Sequence, residues 1–207
     1  MLKIFTSYTP GAGKSYAMME EAVKANKSGK KVIVGFINQK HRDISALPFL
    51  EDENMRRQEI RRREHVEHII NEKPEIVVLD ELGMRIGKTT FVYNIAELFI
   101  KNNIEVFASA NLKKFQEINP LFKEITGVGI RNTIPNRFIK GADEIFFIDR
   151  EPELMERDFR EGKLFGQKYM DSKIMRKNFQ LDTLTAYREV SLNYLKKYNN
   201  VKIIKRD

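Results

Sequence analysis

Leu2-Lys-Ile-Phe-Thr-Ser-Tyr-Thr-Pro-Gly-Ala-Gly-Lys-Ser15 is the stretch whose reading decides the fold. The apolar run Leu2 to Phe5 predicts a buried strand, and it feeds a glycine-rich turn that ends in Gly-Lys-Ser before helix-forming residues. Strand, glycine turn and helix in that order cradle a nucleoside triphosphate. Backbone N–H groups of Gly11, Ala12, Gly13 and Lys14 converge on the β-phosphate, where side chains at the glycines would crowd the approach. Lys14 places a point charge between the β- and γ-phosphates, and the Ser15 hydroxyl is offered to Mg²⁺. Pro10 and Tyr16 complete the expected cofactor-binding stretch, Pro10 to Tyr16. The pattern G-x-x-x-x-G-K-[ST] asks for Gly at position 8, and this chain has Tyr8.

A second stretch, Pro74-Glu-Ile-Val-Val-Leu-Asp-Glu-Leu82, supplies the other half of such a site. Ile76 to Leu79 read as a strand buried on both faces, as in a parallel sheet. Asp80 at its end is placed to hold Mg²⁺ through water, and Glu81 can orient or deprotonate an attacking water. The plain alternative for the acidic pair is the start of a loop.

The chain has 207 residues, 42% of them hydrophobic, enough for one sizeable core and a single α/β domain with appendages. It has no cysteine, which excludes disulfides, zinc–cysteine sites and thiol nucleophiles and fits a reducing cytoplasm. No apolar run reaches the length that spans a bilayer and the start shows no signal pattern, so a membrane link is expected only through a partner. The net charge is +8, with much of the excess in Met55-Arg-Arg-Gln-Glu-Ile-Arg-Arg-Arg63 and in the tail. Such clusters attract nucleic acid or anionic surfaces. No aromatic residues interleave with these arginines to stack bases, so a solvated helix face with Glu59 and Arg63 at i, i+4 is the simpler reading, and nucleic acid is not an expected partner.

Strand and helix signals alternate from end to end, the sign of βαβ units around a parallel sheet. Expected strands are Leu2 to Ser7, Lys31 to Ile37, Ile76 to Leu79, Ile104 to Ala110 and Glu144 to Asp149, with an edge strand at Ile203-Ile204. Expected helices start at Lys14, with Met18, Ala22 and Ala25 inward, and run through the charged segment to Glu72, with Val66, Ile69 and Ile70 inward. Others follow a Thr89 or Thr90 cap, with Val92, Ile95, Ala96 and Phe99 recurring, then Pro152 to Arg160 and Leu181 to Tyr198. Asn38 to Glu53 is irregular. The order fits a P-loop NTPase-like three-layer sandwich: a central, mainly parallel sheet flanked by helices, with one extra strand between the first strand and that of Asp80. Phe107, Ser109 and Asn111 alternate onto one side of that extra strand, and the Asn111 amide would face the γ-phosphate and water unless it is an ordinary turn asparagine. Glu81 and Asn111 are thus the candidate catalytic residues, and Ser15 and Asp80 the candidate metal ligands.

The strings Tyr8-Thr-Pro-Gly-Ala-Gly-Lys-Ser-Tyr-Ala-Met18 and Lys73-Pro-Glu-Ile-Val-Val-Leu-Asp-Glu-Leu82 are followed by Ile125-Thr-Gly-Val128, Arg131-Asn-Thr-Ile-Pro135, Arg160-Glu-Gly-Lys163 and Leu184-Thr-Ala-Tyr-Arg-Glu189. In that order they resemble the amino-terminal cytoplasmic domain of the KdpD osmosensitive potassium-channel sensor kinases over nearly the whole chain. The resemblance implies ATP as nucleotide, with Gly11, Gly13, Lys14 and Ser15 at the phosphate-binding positions and Asp80-Glu81 as the acidic pair. Tyr8 is shared with that family, whose Gly lies one residue earlier, where this chain has Ser7. The family's His-Thr-Asn string after the acidic pair is here Gly83-Met-Arg-Ile86, and its Glu-Thr-His-Gly-Arg string is Asn38-Gln-Lys-His-Arg42.

Full-length family members continue into further domains and a histidine-kinase core. His41, His65 and His68 are the only histidines here, with no phosphoacceptor box, so autophosphorylation is not expected. The reading is a stand-alone cytoplasmic module that binds ATP and Mg²⁺ and acts on or with a sensor histidine kinase in potassium or turgor signalling. In it the γ-phosphate would order the loop after Glu81 and the Thr126-to-Arg131 turn. The rival reading is a free-standing ATPase or small-molecule kinase whose lid would come from Asn38 to Glu53 and the arginine segment after it.

Overall fold

The structure is a computed structural model that describes residues 1–38, 55–130, 132–165 and 170–207. Its strands in chain order are β1 (Leu2–Ser7), β2 (Val32–Phe36), β3 (Arg56–Arg57), β4 (Ile76–Leu79), β5 (Arg85–Ile86), β6 (Thr90–Phe91), β7 (Glu105–Asn111), β8 (Glu144–Arg150) and β9 (Val201–Arg206). The helices are α1 (Lys14–Lys27), α2 (Arg63–Asn71), α3 (Val92–Lys101), α4 (Asn119–Thr126), α5 (Arg137–Lys140), α6 (Pro152–Arg160), α7 (Lys173–Asn178) and α8 (Leu181–Leu195).

β4 shows why a sheet forms with helices on both sides. All four of its residues are buried, and alternation sends them to opposite faces. Ile76 and Val78 join Phe5, Phe107 and Phe146 against Met18, Met19 and Ala22 of α1. Val77 and Leu79 join Ile4, Val106 and Ile145 against α2, α3 and α8, through Val66, Ile69, Ile95, Phe99 and Leu184. The seven-stranded sheet runs β3-β2-β4-β7-β1-β8-β9, with every neighbouring pair parallel. β5 and β6 make a separate antiparallel hairpin. This is the expected α/β sandwich, with β7 inserted between β1 and β4.

That order positions the site. The chain leaves β1 for the face covered by α1, while it leaves β7 through α4 and α5, whose Phe122, Phe138 and Ile139 pack on the opposite face. Ligands in open α/β sheets bind beyond the strand ends where connections diverge in this way.

Several boundaries differ from expectation. The charged helix begins only at Arg63, not around Arg56, and residues 55–62 are not helical, with Arg56–Arg57 in β3. The cause is Ile60, buried across Gly35 of β2: a Cβ on Gly35 would lie 2.9 Å from Ile60 Cδ1, and the β2–β4 register shifts there. Glu59 therefore pairs with Arg61 rather than with Arg63, which pairs with Glu67. Neither Thr89 nor Thr90 caps α3; Thr90 belongs to the hairpin, the cap position is Phe91, and its N–H donates to Asn94 Oδ1 at 3.0 Å. The last helix ends at Leu195, and the Ile203-Ile204 edge strand extends to six residues. Residues 39–53 of the irregular segment, His41 and Arg131 lie outside the described residues.

Candidate functional site

Between β1 and α1 the chain turns through Gly11 (φ 86°) and Gly13 (φ 94°), backbone conformations open to glycine and strained for other residues. Gly13 caps α1, and a Cβ added there would meet nothing within 4 Å, so the loop has open space on that side. The first turn of α1 holds no acid, and its Lys14 and Ser15 are buried. Lys14 Nζ reaches back across the loop to the Thr9 carbonyl at 3.4 Å, and Ser7 Oγ donates to that same carbonyl at 2.6 Å. Tyr8, which stands where the pattern asks for glycine, is fully buried. Its hydroxyl donates to the Arg150 carbonyl at 2.6 Å, and burial, aided by Asp149, pushes its ionisation well above the usual tyrosine range. The side chain thus anchors the loop to the end of β8.

The acidic pair lies directly opposite. Register sets Leu79 beside Ala108 and Ser7 beside Asn111, so Asp80 emerges next to Ser109 and faces the start of α1. Ser15 Oγ and Ser109 Oγ each donate to Asp80 Oδ1 at 2.6 Å, and the Asn38 N–H donates to Oδ2 at 3.1 Å. Ser15 and Asp80, the two predicted metal ligands, are therefore in direct contact. Glu81 adopts φ 59°, a costly conformation for a non-glycine residue, held by its N–H donating to Ser109 Oγ at 2.9 Å. Its carboxylate pairs with Lys114 at 2.9 Å. Gly83 makes room for that lysine: a Cβ there would lie 2.9 Å from Lys114 Cδ. Asn111 is buried, and its Oδ1 accepts from the Lys113 N–H at 3.3 Å, capping a short 3₁₀ turn, Leu112–Lys114.

Sequence reasoning missed Lys113. Its ammonium sits over the Tyr187 ring, 5.6 Å from the centroid, and among the described residues no carboxylate pairs with it. Burial, followed by the neighbouring ammonium groups of Lys114 and Lys14, pulls its pKa down to about 8 against a weaker opposing pull from Glu81. The available signal was two consecutive lysines directly after the strand that ends in Asn111.

Among the described residues, His65 and His68 form no site. His65 Nδ1 lies 2.9 Å from the Glu59 carbonyl and His68 Nε2 lies 3.3 Å from Glu72. Among the described residues no group of three or more His, Cys, Asp or Glu could hold a metal. The Ser15–Asp80 pair, one hydroxyl and one carboxylate, falls outside any such group. No helix among the described residues is long and apolar enough to cross a membrane.

Comparison with known proteins covers most of this framework. The putative sensor protein KdpD of Synechocystis sp. is 28% identical over 199 residues, which is 92% of this chain and 54% of that protein. The sensor protein KdpD of Clostridium acetobutylicum is 30% identical over 200 residues and that of Escherichia coli 27% over 205; each match takes in 92% of this chain and 22% of the relative. The chain thus spans about half the length of the first relative and about a fifth of the other two. Residues 1–198, from the start of β1 to just past α8, match the family model described as KdpD, osmosensitive K⁺ channel His kinase sensor domain, and to that family the chain belongs.

Proposed function

We propose that this chain is an ATP- and Mg²⁺-binding regulatory module of potassium or turgor two-component signalling, working in the cytoplasm on or with a sensor histidine kinase. The observation that carries the nucleotide reading is the contact of Ser15 with Asp80 at the mouth of a glycine loop with φ above zero at Gly11 and Gly13. In this reading the N–H groups of Gly11 to Lys14 and the Lys14 ammonium hold the phosphates, Pro10 and Tyr16 flank them, and Ser15 and Asp80 hold Mg²⁺. The metal, when bound, would neutralise charge on the β- and γ-phosphate oxygens.

The chain's own residues supply the response. Lys14 exchanges the Thr9 carbonyl for phosphate, and Lys113 gains the anionic partner that it lacks among the described residues. Lys114 is shared between Glu81 and the incoming charge. Because Glu81 begins the turn that leads to the β5–β6 hairpin, a change in its pairing reaches that hairpin through Met84, whose N–H donates to the Glu81 carbonyl at 2.9 Å. The Lys114 pair also supports a switch over a fast ATPase, since a carboxylate engaged by an ammonium is a weaker base for water. Three arginines of the basic segment are ion-paired, Arg56 with Glu72, Arg61 with Glu59 and Arg63 with Glu67, which supports its reading as a solvated face.

The test is a thermal melt with and without ATP and Mg²⁺. At a hundredfold excess over Kd, stabilisation is about 2.7 kcal/mol, which for a chain of this length is a rise of about 5–10 °C. Lys14→Ala should show almost none. A wild-type melt that does not respond, or an equal response in Lys14→Ala, would refute the reading.

A further inference from the structure

β8 and β9 end together. Their register pairs Arg150 with Arg206, the last residues of the two strands, on the side of β1 away from Asp80 and Glu81. Both arginines line an open pocket of about 240 Å³ formed with the outer edge of the glycine loop, Gly11 to Gly13, with Tyr16 of α1 and with Asp207, whose carboxylate shares the pocket with them. That volume is below the ~300–1,000 Å³ of pockets that enclose a whole small ligand, and fits a subsite for one part of a larger one. Tyr16 is 41% exposed, and the Arg206 guanidinium carbon lies 5.4 Å from its ring centroid. Arg206 is held there by Glu20, and Arg150 by Asp158 at 2.5 Å. The Nε atoms of both arginines are buried without a hydrogen-bond acceptor. β9 also lies beyond residues 1–198, the stretch that matches the family model.

We propose that this pocket is the nucleoside subsite, with the base stacked on the Tyr16–Arg206 pair and the ribose beside Arg150. The inference rests on the phosphate-loop reading and adds the direction of the nucleotide. The loop fixes the phosphates at the end of β1, which has two sides. One carries Asp80, Glu81 and Lys113, where metal and terminal phosphate belong. The other carries the only arginine pair at adjacent strand ends among the described residues, together with an exposed aromatic ring. A planar base gains contact area from the ring and from the flat guanidinium face, an arrangement tolerant of base identity because each base has a π-face.

Two probes separate this subsite from the phosphate cradle: ATP and inorganic tripolyphosphate, each titrated calorimetrically with Mg²⁺. Tyr16→Ala and Arg206→Ala should each weaken ATP about tenfold, the loss of one stacked contact, and leave tripolyphosphate unchanged. Lys14→Ala should weaken both. Glu20→Gln, which breaks the ion pair but keeps ring and guanidinium, should retain ATP affinity. Equal losses for ATP and tripolyphosphate in Arg206→Ala would make that arginine a phosphate contact and overturn the proposal, as would unchanged ATP binding in both variants. If wild type binds neither probe, the phosphate reading falls and this subsite with it.

Discussion

Replacing Lys113 by Met should abolish a proton uptake that accompanies nucleotide binding. With a pKa of about 8 in place of 10.5, Lys113 is neutral in about half the ligand-free molecules at pH 8 and in about a tenth at pH 7. The cause is burial, compounded by Lys114 and Lys14. A polyphosphate among these ammonium groups reverses the balance and favours the charged form. Binding should then take up about half a proton at pH 8, about a tenth at pH 7 and almost none at pH 6. Calorimetric titration in two buffers of different ionisation enthalpy reads this number directly. At pH 8 the phosphate's own protons stay out of the balance, because its second ionisation lies near pH ~6. The amino terminus is common to both proteins, so the difference between wild type and Lys113→Met isolates one group. Stability should move in the matching direction. A lysine whose folded pKa is depressed destabilises the native state below pH 8, and that cost fades as pH rises from about 8 to 10.5. Its ceiling is roughly 3 kcal/mol, reduced by the partial exposure of the side chain. Lys113→Met without ligand should therefore be the more stable protein at pH 7. Zero uptake by wild type at pH 8, or the same uptake in Lys113→Met, would refute this account of the lysine.

Two further outcomes follow from the ion pairs around the site. Lys114→Met removes the partner of Glu81 and one cation facing the incoming charge, so it should weaken ATP binding while raising turnover at saturating ATP several-fold, measured as steady-state phosphate release; saturating turnover at or below wild type would remove the restraining role of Lys114. Arg188→Ala deletes hydrogen bonds of 2.7–2.9 Å to Asp149 and Glu151 and strands a buried Asp149, at a cost of about 2–4 kcal/mol in chemical denaturation. Adding Asp149→Asn should recover part of that loss, and a single-variant loss under about 0.5 kcal/mol would show the network to be solvent-screened.

The parallel sheet was legible because its strands are short apolar runs with turn chemistry at their ends. The Ser15–Asp80 meeting followed from the order of the two motifs, since a parallel sheet brings strand ends to one edge. What stayed hidden depended on pairings distant in sequence. Residues 55–62 carry helix-compatible composition, yet Ile60 is drawn into the core across Gly35, a contact that no local period encodes. Thr90 reads as a cap by type, but the hairpin takes it and Asn94 serves the helix from inside. Lys113 stayed hidden because the ring beneath its ammonium is Tyr187, a residue far along the chain. The two arginines of the proposed nucleoside subsite come together only through the β8–β9 register. The same holds for the departure at Gly83: it reads as a loss of family residues, while in space it is the gap that lets Lys114 reach Glu81.

These contacts also indicate where the state of the glycine loop is felt. A Cβ on Gly11 would lie 3.3–3.5 Å from Leu164 and Met155, so the loop is roofed by α6 and the segment after it. Tyr8 ties the loop to the Arg150 carbonyl, Arg150 pairs with Asp158 of α6, and Arg188 of α8 grips Asp149 and Glu151 on either side of Arg150. The loop, the end of β8, α6 and α8 are therefore one packed and ion-paired unit, and packed interiors shift between discrete arrangements more readily than they deform continuously. The hairpin beyond Glu81, by contrast, meets the site through a single carboxylate and a turn. A nucleotide signal carried by the acidic pair would be confined to that hairpin, whereas one carried by the glycine loop reaches the helices on the far side of the sheet. Lys113 touches both routes, since its ring partner Tyr187 lies on α8 and its charged neighbours Lys114 and Glu81 lead to the hairpin.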